Sequence, residues 1–228
     1  MAGIMPRMTT PEERFTFDAG KGPASAAFAR PPKPTAALVV AHGAGAGLDH
    51  PFLVGFCRAM NDEGVATMRF NFPYMEAGRR STDPQAVAVA AWRAGFDQAV
   101  SRAGGVGVFA GGKSYGGRMA SVAVAEGMPA AGLVFLGYPL HPPGKPERIR
   151  AEHLYGIDVP MLFVHGTRDP FADPPLLRGV LAKLKGRAVD HPVEGGGHSF
   201  DVRGAKRDAR ETGASLAPIV AAFIRERV

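Results

Sequence analysis

Ser114 has the sequence neighbours of a catalytic nucleophile. It lies in the string GGKSYGG at positions 111–117, where Gly112-x-Ser114-x-Gly116 matches the nucleophile elbow, a sharp strand-to-helix turn that exposes a reactive serine. The same region matches a second pattern. Read from Gly107, GVFAGGKS fits the phosphate loop G-x-x-x-x-G-K-[ST], in which backbone amides and a lysine, here Lys113, hold phosphates. The first pattern predicts a hydrolase and the second an NTPase.

The residues on either side of the serine favour the elbow. Residues 106–110 read Val-Gly-Val-Phe-Ala and predict a strand, whereas a phosphate loop needs a flexible turn at the same place. Gly111 to Ser114 then forms the predicted turn, and a helix is predicted over Tyr115 to Glu126. An NTPase also needs a carboxylate for Mg²⁺ at the end of a strand, and no apolar run ends directly in Asp. The NTPase interpretation is kept as a remote alternative.

An acid and a base follow Ser114 in the order that an elbow-type serine hydrolase requires. Asp169 comes just after the apolar run Met161 to His165, and His198 ends the flexible segment Glu194-Gly-Gly-Gly-His. We therefore predict a Ser114–His198–Asp169 triad. Asp173 is a competing acid, but its position before Pro174 is more typical of a helix cap.

Acyl transfer also needs backbone N–H groups that stabilise an oxyanion. We predict the amide of Tyr115, the residue after the nucleophile, and an amide of the segment 42–45, with Ala44 favoured. Segments that leave strand ends suggest further substrate contacts at Gly43, Tyr74, Met75 and His141, although for His141 an exposed loop position is the simpler expectation. His42 and His165, each at a strand end before glycine, are expected to be structural.

The apolar runs predict an α/β fold. Runs that are apolar on consecutive residues suit strands covered on both faces, and helical patterns separate them, as in a doubly wound, mostly parallel sheet. Residues 1–35 are expected to hold an N-terminal tail and an edge hairpin, and Pro192 predicts that the last strand is also an edge. Asp83-Pro84 and Asp173-Pro174 predict starts of helices, and Gly213 and Pro218 predict a division of the C-terminal helix. The predicted strands are Ala36 to Ala41, Val65 to Phe70, Val106 to Ala110, Leu133 to Leu136, Met161 to His165 and Ala188 to Val193.

Composition indicates a globular protein that we take as a single domain over residues 1–228. The chain is 46% hydrophobic and 21% charged, and its net charge of +6 is scattered, which gives little support to nucleic-acid binding. The one cysteine, Cys57, lies in an apolar helical stretch and is expected in the core. Neither a signal peptide nor a membrane-spanning run is recognised, so we expect a cytoplasmic protein. No metal or cofactor and no partner other than a small molecule is predicted, and the oligomeric state is left open.

Taken together, the motifs resemble those of the α/β-hydrolase superfamily, and more narrowly its small dienelactone-hydrolase-like branch, which includes testis-expressed and histone-acetyltransferase-complex-associated hydrolase-like proteins. The resemblance implies an α/β-hydrolase fold. About 24 residues separate Leu136 from Met161, too few for a large helical lid. The expected function is hydrolysis of a small carboxylic ester or thioester, and the alternative is a binding or scaffold protein with a weak triad. The matching segments are AHGAGAG at 41–47, RFNFPYMEAGRR at 69–80, GGKSYGGRMAS at 111–121, LGYPLHPPGKPERIR at 136–150, HGTRDPF at 165–171 and GGGHSF at 195–200.

Overall fold

An eight-stranded, mostly parallel sheet forms the centre of the computed structural model, which describes residues 10–228. The strand order is β1-β2-β4-β3-β5-β6-β7-β8, and only the pairs β1–β2 and β2–β4 are antiparallel. The predicted doubly wound α/β architecture is confirmed. The strands are β1 Glu12–Asp18, β2 Pro23–Ala29, β3 Ala36–Ala41, β4 Val65–Phe70, β5 Val108–Lys113, β6 Leu133–Leu136, β7 Met161–Gly166 and β8 Ala188–Val193.

Both predicted edges of the sheet are present. The hairpin β1–β2 lies at one edge, and residues 1–9 of the predicted N-terminal tail lie outside the described residues. At the other edge β8 pairs only with β7. Pro192 has no N–H to donate, and at this edge position its missing donor interrupts no hydrogen bonding between two inner strands. Strands β3 to β7, five of the six inner strands, are buried along their whole length apart from Lys113, as expected for a sheet covered on both faces.

Helices cover both faces of this sheet. Side chains of α3, α4 and α5 form one core with the first face, and those of α1 and α7 form a second core with the other, where α6 packs against α1. Cys57 lies in α1 and is buried, as predicted. The helices are α1 Pro51–Asp62, α2 Pro73–Glu76, α3 Gln85–Ala103, α4 Tyr115–Ala125, α5 Pro174–Lys183, α6 Ala209–Ser215 and α7 Ala217–Arg225, with a short 3₁₀ helix at Glu152–Gly156 between β6 and β7.

Helix starts were predicted correctly at one Asp-Pro pair and wrongly at the other. The side chain of Asp173 accepts from Leu176 N–H and caps α5. At the start of α3, by contrast, Pro84 is the N-cap residue, and the carboxylate of Asp83 instead accepts from Tyr74 N–H. The predicted division of the C-terminal helix is confirmed between α6 and α7.

The elbow strand also differs from the prediction. It begins at Val108 rather than Val106 and continues through Gly111 and Gly112 to Lys113, where the sequence suggested that the turn had already begun. These residues pair with β3 on one side and β6 on the other. The turn is therefore confined to Ser114. Because the ladders on both sides engage the backbone of 108–113, the phosphate-loop match does not describe a loop.

Candidate active site

Ser114 stands at the turn between β5 and α4 in a strained backbone conformation. Its φ of 50° and ψ of −113° lie outside the regions that residues with a side chain usually adopt. Two backbone bonds hold it there: its N–H donates to Leu136 O of the neighbouring strand at 3.1 Å, and its carbonyl accepts from Arg118 N–H at 3.0 Å. Such strain persists only where the surroundings enforce it, and it is concentrated at functional sites. The hydroxyl is thereby exposed at the carboxyl edge of the sheet.

The glycines of the motif are required by close packing. A Cβ on Gly116 would lie 2.2 Å from Ala41 O, and one on Gly112 would lie 2.3 Å from the same oxygen. Gly112 also has a φ of 148°, which residues with a side chain rarely adopt. Trp92 anchors this turn from below, because its indole N–H donates to Gly116 O at 3.1 Å. The G-x-S-x-G spacing thus lets α4 start directly against β3.

The three predicted triad residues lie in one hydrogen-bonded chain. His198 Nε2 is 2.9 Å from Ser114 Oγ, and His198 Nδ1 is 2.8 Å from Asp169 Oδ2. The Asp169 side chain is fully buried, and its second oxygen accepts from Phe171 N–H at 2.8 Å. The Phe171 ring packs on the imidazole, with the two ring centroids 4.5 Å apart. An acceptor at Nδ1 fixes the tautomer in which Nε2 is free to accept the serine proton.

The predicted oxyanion donors border this serine. Tyr115 is the first residue of α4, so its N–H has no partner within the helix. Two contacts of its carbonyl oxygen fix the orientation of the Gly43–Ala44 peptide. Gly43 O is 2.7 Å from His42 Nδ1 and accepts from Ala46 N–H at 3.1 Å. Because a trans peptide directs its N–H opposite to its carbonyl, Ala44 N–H faces away from these bonds.

His42 holds this peptide as a neutral ring. Its Nε2 accepts from Phe72 N–H at 3.2 Å, so the proton must be on Nδ1, which donates to Gly43 O. The ring is fully buried, and burial lowers the pKa of His42 to about 4. His42 is therefore structural, as predicted, but it also orients a candidate oxyanion donor. That second role was not predicted, because it depends on a contact between two loops that are distant in sequence.

Two cavities meet at Ser114 and Ala44. The lysine-side cavity, of about 450 Å³, is bordered among others by Gly43, Lys113, His198 and Arg207. The arginine-side cavity, of about 440 Å³, is bordered by Tyr115, Arg118, His141, Arg150 and Phe171. A substrate whose carbonyl lies at Ser114 can therefore extend in two directions.

The predicted substrate contacts separate into two groups. Gly43 borders the lysine-side cavity and His141 the arginine-side cavity, whereas Tyr74 and Met75 border neither. Tyr74 is fully buried and donates from its hydroxyl to Ala44 O at 2.9 Å, so it supports the oxyanion loop from behind. The expectation that His141 is an exposed loop residue was wrong, because only 4% of its surface is exposed.

Lys113, the lysine of the phosphate-loop pattern, lies against the loop that carries His198 and Phe200. Its Nζ is 5.7 Å from the centre of the Phe200 ring, and its Cγ passes close to Gly43. Burial lowers the pKa of Lys113 to about 8, while Asp169 and Asp201 act in the opposite direction. Its ammonium therefore lies beneath the loop that carries His198, within the field of the Asp169 carboxylate.

A second serine–histidine pair occurs nearby. Ser121 Oγ, inside α4, is 2.8 Å from His153 Nε2 and also donates to Arg118 O. Ser121 is fully buried, and no carboxylate among residues 10–228 forms a hydrogen bond with this imidazole. Burial and the nearby Arg118 lower the pKa of His153 to about 4, which keeps it neutral. This pair packs α4 against the 3₁₀ helix and lacks an accessible nucleophile.

Comparison with known families matches residues 34–225 to the alpha/beta hydrolase domain model. The chain belongs to the α/β-hydrolase family. Like other members, this α/β hydrolase carries an elbow serine between a central strand and the following helix. The resemblance stated from the motifs is thereby confirmed at the level of the family.

Solved structures similar to this α/β hydrolase share its fold at low identity. A dienelactone hydrolase from Anabaena variabilis has a TM-score of 0.77 at 16% identity, with 97% of this chain and 100% of that chain covered. A lidless α/β serine hydrolase from Xanthomonas campestris gives 0.73 at 18%, covering 97% of each chain. An esterase domain from Rhodothermus marinus gives 0.73 at 14%, covering 95% and 98%. At these identities the likeness concerns the fold, and it agrees with the predicted lack of a large lid.

Two other properties of residues 10–228 bear on function. None of the helices in this range combines the length and the apolar character needed to cross a bilayer. The same residues contain no cluster of three or more His, Cys, Asp or Glu side chains suited to hold a metal ion.

Proposed function

We propose that this protein is a serine hydrolase that cleaves a small carboxylic ester or thioester through an acyl-enzyme intermediate. The observation that carries the proposal is the unbroken hydrogen-bonded chain from Ser114 Oγ through His198 to the buried Asp169. Membership of the α/β-hydrolase family supports the same chemistry.

In the first half of the proposed reaction, Ser114 Oγ attacks the substrate carbonyl carbon while His198 Nε2 takes the hydroxyl proton. The carbonyl oxygen becomes an oxyanion that the amides of Tyr115 and Ala44 stabilise, at about 3 kcal/mol for each donor. The tetrahedral intermediate then collapses, and the leaving alcohol or thiol departs with the proton from His198. In the second half, water replaces the alcohol, His198 takes its proton, and the acid product leaves with Ser114 restored.

The two cavities and the lack of a large helical lid among residues 10–228 support small substrates. An open site without a covering helical domain offers little apolar surface to a long acyl chain. We therefore expect acetyl, butyryl and similarly short acyl esters to be hydrolysed faster than long-chain triglycerides. A preference for the triglycerides would refute this assignment of substrate size.

The decisive experiment is labelling with a fluorophosphonate probe, which reacts covalently with an activated serine. We expect labelling of the wild type and of Ser121→Ala, and no labelling of Ser114→Ala. The Ser121 variant is a matched control, because it removes the other serine hydroxyl that contacts a histidine. A well-folded wild type that takes up no label would instead favour the alternative of a binding or scaffold protein with a weak triad.

A further inference from the structure

Arg118 has a guanidinium that the protein itself does not neutralise. Its Nε is buried without any hydrogen-bond partner, and its one hydrogen bond from Nη2 reaches Gln85 Oε1 at 3.4 Å. Between residues 10 and 228 no carboxylate lies within salt-bridge distance of Arg118 or of Arg150, its neighbour in the arginine-side cavity. A charged donor group without a protein acceptor is unfavourable when it is enclosed. The Arg118 side chain is half-buried and lines the arginine-side cavity, so the part of the guanidinium that is open to this cavity is available to an anionic ligand.

The surroundings of Arg118 give this cavity a positive field. Burial, Arg118 and Arg148 together lower the pKa of Arg150, and Arg118 also lowers the pKa of His153. The one acidic residue in the wall, Asp83, has its carboxylate engaged elsewhere, by Arg79 and by Tyr74 N–H. Among the described residues that line it, the cavity therefore has two arginine side chains and no free carboxylate to balance them.

The position of Arg118 relates this charge to the reacting centre. It follows Ser114 by one turn of α4, since Arg118 N–H donates to Ser114 O, and one helical turn rises about 5.4 Å. Ser114 and Arg118 also border the same cavity, so an anionic group that meets the guanidinium would share this cavity with the carbonyl bound at Ser114. This arrangement favours a charge a few bonds from the carbonyl over the phosphates of a large thioester carrier, which are many bonds from their thioester.

We propose that the arginine-side cavity binds a carboxylate of the substrate itself, through Arg118 with support from Arg150. The substrate class is then a half-ester of a short dicarboxylic acid, with the free carboxylate on the acyl side. A planar guanidinium matches a carboxylate with two parallel hydrogen bonds, which a neutral ester group cannot reproduce. This inference rests on the proposed function, because it concerns the same Ser114.

The test compares two 4-nitrophenyl esters that differ only at the far end of a five-carbon acyl chain: the glutarate half-ester, which ends in a carboxylate, and the pentanoate, which ends in a methyl group. The readout is the ratio of their kcat/KM values, so that any general loss of activity cancels. We expect the wild type to prefer the half-ester by about tenfold or more. Added salt should reduce the preference.

Arg118→Gln should bring the ratio down to about one, and Arg150→Gln should lower it several-fold. Arg178→Gln is the control, since this arginine is exposed on α5 and borders neither cavity, and it should keep the wild-type ratio. If Arg118→Gln does not fold, the decrease in Arg150→Gln decides the matter.

The possible failures are distinguishable. Hydrolysis of both esters with a wild-type ratio near one, or a high ratio that survives both Arg118→Gln and Arg150→Gln, would overturn the carboxylate site and leave the serine hydrolase intact. No hydrolysis of either ester, together with no fluorophosphonate labelling, would overturn the proposed function and this inference with it.

Discussion

Replacing Asp169 by asparagine tests the tautomer argument at the centre of the proposed mechanism. The two oxygens of this carboxylate accept from two different N–H groups, His198 Nδ1 and the backbone of Phe171. An asparagine has only one oxygen, so it can satisfy only one of these donors. The backbone N–H of Phe171 cannot change its character, whereas the imidazole can exchange tautomers. The amide oxygen should therefore face Phe171, and the amide NH₂ should face His198.

This orientation predicts a large loss of activity with little change in shape. An NH₂ donor opposite Nδ1 makes that nitrogen an acceptor and moves the proton to Nε2, which then cannot accept the proton of Ser114. In a comparable triad the same exchange lowers kcat by about 10⁴-fold. That factor corresponds to about 5 kcal/mol of lost transition-state stabilisation. We expect a loss of 10³- to 10⁴-fold in Asp169→Asn, with KM nearly unchanged.

The assay is kcat and KM on a short-chain activated ester, with ¹⁵N NMR of His198 to identify its tautomer. Asp173→Asn is the matched control: Asp173 caps α5, and asparagine caps helices equally well, so its activity should stay within about twofold of wild type. A variant Asp169→Asn that retains more than a tenth of wild-type kcat, or whose His198 keeps its proton on Nδ1, would refute the reasoning. A large loss in Asp173→Asn would instead point to the competing acid.

Three further changes test the supports of the site. Burial keeps the folded-state pKa of His42 at about 4, below its ordinary 6.5, so the unfolded chain takes up this proton first as pH falls. The stabilisation is complete above pH 6.5 and declines toward pH 4, so His42 alone should make the free energy of unfolding in urea about 2 kcal/mol smaller at pH 5 than at pH 7.5. The half-buried His153, whose pKa is also lowered to about 4, adds to this decrease in the same pH range, and a flat profile would contradict both. Gly116→Ala should destabilise by about 3 kcal/mol or more, because its Cβ would lie 2.2 Å from a backbone oxygen. In contrast, Gly179→Ala in the open middle of α5 should increase the stability by up to about 1 kcal/mol. Thermal unfolding measures both changes, and equal effects of the two substitutions would refute the packing argument. Tyr74→Phe removes the hydroxyl that donates to Ala44 O, so it should lower the stability by about 1 kcal/mol. It should also lower kcat several-fold without a matching rise in KM, because the Ala44 amide is then held less firmly. An unchanged kcat would show that Tyr74 does not support the loop that carries Ala44.

The central strands could be predicted from the sequence because burial on both faces leaves a local signature. Ala36–Ala41, Val65–Phe70 and Leu133–Leu136 are apolar at nearly every position, and the structure gives them the predicted bounds. The end of β5 could not be predicted in the same way. Gly111 and Gly112 have low intrinsic strand propensity, and they are extended because β3 and β6 supply partners on both sides. Only the assembled sheet provides that information.

The errors at Asp83 and His141 have one physical origin. A local motif led to each wrong prediction: the Asp-Pro pair predicted a helix cap at Asp83, and the proline-rich segment predicted an exposed loop at His141. In both cases a contact with a segment distant in sequence determines the structure instead. The carboxylate of Asp83 accepts from the N–H of Tyr74. His141 is buried where the chain next to it bonds to Phe171 O through Leu140 N–H. Sequence order places Ser114, Asp169 and His198 at strand ends, but it carries no information about which loops close around them.

The string GGKSYGG shows how a fold decides between two motif matches. A phosphate loop requires several consecutive N–H groups that no protein acceptor occupies. In this chain the segment 108–113 is an inner strand that pairs with β3 and β6, and even the N–H of the next residue, Ser114, donates to Leu136 O of β6. The end of this strand places Lys113 under the loop that carries His198, and the helix that follows places Arg118 one turn after Ser114. Lys113, the charge that suggested phosphate binding, therefore lies beneath the histidine that contacts the candidate nucleophile. Arg118 lines the cavity on the other side of Ser114, where the carboxylate of an anionic ester would meet it.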